Sequence, residues 1–214
     1  MSQNPAIAVQ DWALAGDPFR LRAVNIHAAD WPRWLPAAAQ ERAARFTDPQ
    51  AAARAGAAEW FKTGWLAHEL GLPRVEWQTA EHGKPQLTGA AAGWGFNLSH
   101  AGDYVVAALV KDAAIGVDLE SMTRPAEIEL LARRVFSPTE QELVRAGGRE
   151  VFFTLWSQKE ALLKALGCGW ADGRLVRRTQ LTVAAQQVEP VTGLTIWSRR
   201  VLGGAYALAV AMAR

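Results

Sequence analysis

Slid against itself by 96 positions, the 214-residue sequence lays WFKTGWLAHELG (60–71) over WSQKEALLKALG (156–167), with the tryptophan, two leucines and the closing glycine in register. The same shift lays the strand-like stretch around Val24 over the one around Glu120. A self-match that pairs helix with helix and strand with strand restricts the chain to folds with two similar halves, because each half must bury the same kind of apolar face. It predicts an α+β protein of two similar α/β halves related by pseudo-twofold symmetry, an N-terminal half over 1–110 and a C-terminal half over 111–214. The halves differ in charge: Arg22 and Val24 lie over Asp118 and Glu120, and Gly64 lies over Glu160. The acidic residues therefore belong to one half only.

Local patterns fill in the elements. Alternation from Arg20 to Ala28 predicts a strand, and the run from Pro36 to Gly71 predicts two helices broken near TDPQ (47–50). RVEWQTA (74–80) is expected as a strand, EHGKPQL (81–87) as a turn, and residues 96–119 as two or three short strands joined by tight turns such as KDAA. Ser137 with Glu140, ahead of an apolar run, has the form of a capping box. The longest helix is expected over 149–169, capped at Gly167, and three strand-like stretches close the chain: LTVAAQQV, GLTIWSRRV and AYALAVAMA.

Half of the residues are hydrophobic, 21% are charged and the formal net charge is +2, which excludes a disordered polyelectrolyte and a strongly basic nucleic-acid binder. The single cysteine, Cys168, excludes an internal disulfide and a multi-cysteine metal site, in keeping with a reducing compartment. The N-terminus lacks the pattern of a signal peptide, and no stretch approaches the length that spans a bilayer.

Within the strand-like IGVDLE (115–120), Ile115, Val117 and Leu119 share one face, and Gly116, Asp118 and Glu120 share the other. Two carboxylates side by side raise each other's pKa unless a cation or hydrogen bonds compensate, so Asp118 and Glu120 call for a partner that their own strand does not supply. On the long helix Glu160 and Lys164, four residues apart, share a face, and Lys159 is rotated away. Each pair alone is ordinary surface chemistry. Three carboxylates able to meet, with no His or Cys cluster beside them, suit Mg²⁺.

The ordered set GKP (83–85), FNLSHAGDYVVAAL (96–109), IGVDLE (115–120), RVFSPTE (134–140) and WSQKEALLKALGCG (156–169) resembles the 4′-phosphopantetheinyl transferases, in length and duplication the larger, single-chain Sfp-type class. The resemblance implies their fold and their reaction: the phosphopantetheine arm of coenzyme A moves to a serine of an acyl or peptidyl carrier protein, with release of adenosine 3′,5′-bisphosphate. It implies that Asp118, Glu120 and Glu160 hold Mg²⁺ directly or through water, and that Glu160 takes the serine proton, directly or through a water. Lys164 would contact the pyrophosphate of coenzyme A and stabilise the leaving group; Arg54, Lys84, Ser99 and His100 would surround the nucleotide and its phosphates, so that these contacts fall to the N-terminal half. Arg42 is a poorer match. Where the family carries a second arginine this chain has Thr63, with Lys62 as the nearest substitute. Carrier docking would use the region around Arg133, Arg134, Val135 and Phe136, which offers positive charge to an acidic helix. A cytoplasmic monomer with neither nucleic acid nor membrane as partner completes the expectation. Two other readings stand beside it: a non-catalytic module that binds coenzyme A or a carrier protein, and a magnesium-dependent phosphohydrolase.

Overall fold

Short apolar runs rich in alanine and valine draw the N-terminal half into an antiparallel sheet, seen in a computed structural model that describes residues 9–13, 16–27, 35, 37–79 and 84–213. A short strand β1 (Val9–Asp11) pairs with β2 (Arg20–Asn25). The chain then turns helical through α1 (Ala37–Ala43), α2 (Pro49–Trp60), a π-helical stretch (Phe61–Trp65) and α3 (Leu66–Leu70). The break expected at TDPQ falls where Asp48 caps α2, its carboxylate accepting from the backbone N–H groups of Gln50 and Ala51, with Pro49 as the first helical residue. Gly71 ends the run with a φ of 65°. The π-helical stretch has no counterpart in the sequence reading; Phe61 meets Trp60 and Trp65 edge to face along it.

Next come β3 (Glu76–Thr79) and β4 (Pro85–Thr88), which pair with each other as a two-stranded ribbon. The turn expected over 81–87 is corrected here. Pro85 begins a strand, where a missing N–H does no harm, and Leu87 is buried opposite Trp77; residues 81–83 lie outside the described chain. Strands β5 (Trp94–Ala101) and β6 (Tyr104–Lys111) form a hairpin and complete a sheet of order β1-β2-β6-β5.

The C-terminal half runs through β7 (Ile115–Ser121), α4 (Ile128–Val135), α5 (Pro138–Leu166), α6 (Gly173–Arg178), β8 (Gln186–Val188), β9 (Thr195–Val201) and β10 (Tyr206–Met212). Its sheet has the order β7-β10-β9-β8. The capping box at Ser137 and Glu140 is formed, and Gly148, at φ 63° and ψ −144°, divides α5 at a conformation only glycine adopts freely. The helix expected from residue 149 is the second segment of α5.

In each half a strand leads through a helical run to a hairpin, and the order β2-β6-β5 is repeated as β7-β10-β9. The equivalent tyrosines that open β6 and β10, Tyr104 and Tyr206, meet edge to face at 5.6 Å. The chain is thus α+β with two halves of one topology. Between them Leu21, Ala23, Val106, Val117, Leu119 and Val210 form a shared core. The outer faces are covered by aromatic residues of the helical runs, Trp60 and Phe61 in one half and Phe152 and Phe153 in the other. No helix among the described residues is long and apolar enough to cross a membrane.

Candidate active site

Strand β7 lies at the edge of its sheet, so half of its backbone groups lack a strand partner. Side chains supply them. The N–H of Val117 donates to Asn97 Oδ1 at 2.9 Å and that of Leu119 to Ser99 Oγ at 3.2 Å. Lys84 Nζ donates to the carbonyl of Ile115 and Lys164 Nζ to that of Val117, both at 3.2 Å. Asn97 and Ser99 are buried in β5 because they complete this edge. The halves are therefore joined where the quoted motifs converge.

The face of β7 that carries Gly116, Asp118 and Glu120 turns toward α5. A Cβ at Gly116 would stand 2.0 Å from the carbonyl oxygen of Ala161 and 2.4 Å from the nitrogen of Ala165, so only glycine lets strand and helix approach this closely. The approach brings Lys164 onto Asp118, Nζ to Oδ1 at 2.6 Å. Ser99 Oγ donates to the same oxygen at 3.0 Å, and Lys164 also donates to Ser99. Asp118 is 4% exposed, and its other oxygen, Oδ2, is buried with no hydrogen-bond partner. Loss of water, reinforced by the negative charges of Glu120 and Glu160, pushes the Asp118 carboxyl up to about 7; the Lys164 cation opposes this without overcoming it.

Glu120 and Glu160 are near enough to act on Asp118 through space, but each is also held elsewhere. Arg124 Nε donates to Glu120 at 2.7 Å, with Arg124 and Arg149 both over the ring of Phe153 at 4.9 Å. Trp170 Nε1 donates to Glu160 Oε1 at 2.7 Å. Among the described residues no three acidic, histidine or cysteine side chains close into a metal cage. A magnesium site does not need one, since the ion is held by one or two carboxylates together with water and substrate phosphates. A buried, unpartnered carboxylate oxygen beside two further carboxylates fits such a cation in both charge and ligand type.

The remaining candidates fall around this centre. Lys84 Nζ donates to the carbonyls of Ile115 and Ala165, and burial pulls its pKa down. It lines a pocket together with Pro85, Leu87, Trp94, Phe96 and Asp112. His100 is held toward its neutral form by loss of water and by the nearby Arg54 and Lys164 cations. Arg54 itself donates to the carbonyl of Gly102 at 3.1 Å. Arg42 and Lys62 both pair with Glu59, at 2.7 and 3.2 Å, so neither cation is unpaired.

One residue differs from expectation. Phe136 is 1% exposed, packed on Phe152 beneath Lys159, so it belongs to the core and forms no part of a docking surface. The exposed apolar residue on α4 is Leu130, and Arg133 and Arg134 face solvent. Lys159 is fully buried and donates to Glu140 at 2.9 Å, to the carbonyl of Val176 and to Thr179. Sequence reasoning did not single out Asn97, Arg124 or Trp170. Asn97 stands inside a quoted motif as a polar residue in an apolar strand, which is the signal that finds it; Arg124 and Trp170 act through turns that no periodicity describes.

Residues 114–211, which include Asp118, Glu120, Glu160, Lys164 and Trp170, match the model of the 4′-phosphopantetheinyl transferase superfamily. That part of the chain is similar to the domains of this superfamily. Among curated relatives, the chain is 34% identical over 133 residues to the 4′-phosphopantetheinyl transferase HetI of Nostoc, covering 59% of this chain and 53% of the relative. It is 37% identical to 4′-phosphopantetheinyl transferase psf-1 of Bacillus pumilus over 50% of this chain and 48% of the relative. To 4′-phosphopantetheinyl transferase Sfp of Bacillus subtilis it is 34% identical, over 48% and 46% respectively. The matches span about half the length of these relatives.

Proposed function

We propose that this protein transfers the 4′-phosphopantetheine arm of coenzyme A to a serine hydroxyl of an acyl or peptidyl carrier protein. The serine oxygen bonds to the phosphorus that carries the pantetheine arm, the pyrophosphate bridge breaks, and adenosine 3′,5′-bisphosphate leaves with the bridging oxygen. The observation that carries this reading is the unpartnered, buried Oδ2 of Asp118, aligned by Lys164 and Ser99 and acted on by Glu120 and Glu160. Asp118, Glu120 and Glu160 would hold Mg²⁺, directly or through water, and the bound ion would neutralise the charge that develops on the pyrophosphate oxygens. Glu160 receives the serine proton, its Oε2 having no protein partner among the described residues. Lys164, anchored on Asp118, keeps its ammonium beside the leaving phosphates. Lys84 pairs with carbonyls and no carboxylate among the described residues, which leaves its charge for a nucleotide phosphate; His100 and Arg54 lie next to the same centre. Exposed Arg133 and Arg134, with a groove between α4 and α5 lined by Ile128, Ala132 and Val144, suit an acidic, partly apolar carrier helix. A cytoplasmic monomer is part of the same reading.

The test is intact-mass spectrometry of an apo carrier protein after incubation with this protein, coenzyme A and Mg²⁺. The expected result is a gain of one phosphopantetheine, abolished by a chelator and by Glu160→Gln. Coenzyme A binding with no mass gain on any of several carriers would replace this reading with that of a binding module.

A further inference from the structure

Glu160 occupies the end of a stripe on α5 that begins with Phe152 and Trp156, residues four apart on one helix face. Beyond the helix the chain reverses through Gly167 and Gly169, whose φ values of 72° and 55° lie in the left-handed region. The reversal lays Trp170 back on the same stripe. Its ring packs on Trp156 at 5.0 Å and 32°, and Trp156 in turn stacks on Phe152 at 5.6 Å and 27°. At the end of this ladder the Trp170 indole N–H donates to Glu160 Oε1 at 2.7 Å.

We propose that Trp170 is a positioning residue for Glu160, its ladder-fixed indole N–H binding one carboxylate oxygen so that the other is held toward the cation and the acceptor serine. A glutamate on a helix face has three rotatable bonds, and an unrestrained carboxylate spends much of its time away from any one ligand geometry. Indole suits the task because it donates without accepting and carries no charge to compete with a cation. Its rigid ring transmits the packing of Trp156 directly to the donor atom. Such an outer hydrogen bond orients a ligand and improves its affinity for metal.

The inference rests on the reading of Glu160 as a metal ligand and base, and the experiment separates the two. Trp170→Phe keeps a stacking ring and removes the N–H. Mn²⁺, titrated into the full chain with coenzyme A bound and followed by electron paramagnetic resonance, is expected to bind about 10-fold more weakly to this variant. Turnover is expected to fall by a similar factor with the KM for coenzyme A unchanged. In a Glu160→Gln background the same substitution is expected to change Mn²⁺ affinity little, the non-additivity of two residues acting as one. Unchanged affinity in Trp170→Phe, or equal effects in both backgrounds, overturns the positioning role. Nuclear magnetic resonance of the otherwise unaltered ladder provides a second arm: the Trp170 indole proton is expected to move upfield in Glu160→Gln, and a stationary resonance counts against the hydrogen bond. If the wild-type protein binds Mn²⁺ but modifies no carrier, the proposed reaction fails while the coupling of Trp170 to Glu160 is still read.

Discussion

At the scale of single residues, Asp118 is kept where folding alone would not choose to keep it. Its carboxyl lies buried, one oxygen is unpaired, and its pKa stands at about 7 against an ordinary 3.8. Between those values the folded protein binds a proton that the unfolded chain releases, so the contribution of Asp118 to stability is present at low pH and is lost as pH rises toward 7. The full shift corresponds to an effect on the order of 4 kcal/mol, an upper bound since the unfolded chain and local relaxation reduce it. Metal-free protein is therefore expected to lose thermal stability from pH 5 to pH 8, more steeply than Asp118→Asn, in melts followed by circular dichroism. Added Mg²⁺ should restore the wild type at pH 8 and leave the asparagine variant unchanged. Identical pH slopes in the two proteins would contradict the role given to burial. The side-by-side carboxylates were legible in IGVDLE, because a strand of period two can place Asp118 and Glu120 only on one face. Their occupation by Lys164 and Arg124 was less so, since Lys164 lies 46 residues away on α5 and Arg124 approaches through a turn.

At the scale of elements, the α5 helix does two tasks with adjacent residues. Glu160 points to the candidate active site, and Lys159 points into the core, where its ammonium meets Glu140, Val176 and Thr179. Glu140 in turn accepts from the backbone of Ser137 and of Leu181. One buried ion pair thus ties the start of α5, its later turns, the end of α6 and the segment before β8. Removing the lysine strands a carboxylate in the core, so Lys159→Met is expected to destabilise the protein by about 3–5 kcal/mol in urea unfolding, with Glu140→Gln/Lys159→Met recovering much of the loss. A double variant no more stable than the single one would show that the pair itself, and not the uncompensated charge, supplies the stability. Helical periodicity set Lys159 apart from Glu160 and Lys164 in the sequence, and the capping pattern picked out Glu140. That the two meet was not legible, because 19 residues and the bend at Gly148 separate them. The β4 strand was missed for a different reason: Gly and Pro in GKPQL signal a turn locally, and only pairing with Trp77 and its neighbours makes the segment extended.

At the scale of the whole molecule, the repeat in the sequence corresponds to two halves of one topology, but the candidate site is not itself repeated. It uses Ser99 and Lys84 from one half against Asp118 and Lys164 from the other, so it exists only while the halves are joined. The exposed face of α4 carries Arg133 and Arg134, with Arg133 3.8 Å from Glu129. Reversing both charges, Arg133→Glu with Arg134→Glu, is expected to raise the KM for an acidic carrier by about 10-fold, through a slower association that depends on salt. The KM for coenzyme A should be unaltered; a parallel rise in both would place these arginines elsewhere than on the carrier.

The side chains that close the edge of β7 have a consequence for behaviour in crowded solution. An open strand edge invites pairing with another chain, and long apolar edges are sites of aggregation. Of the four edges of the two larger sheets, β5 and β7 are the long ones, at eight and seven residues, and they are turned toward each other and bridged by Asn97 and Ser99. The edges left outward, β1 and β8, are three residues each. By facing its longest edges inward, the join between halves removes the surface on which copies of the chain would most readily stack into fibres.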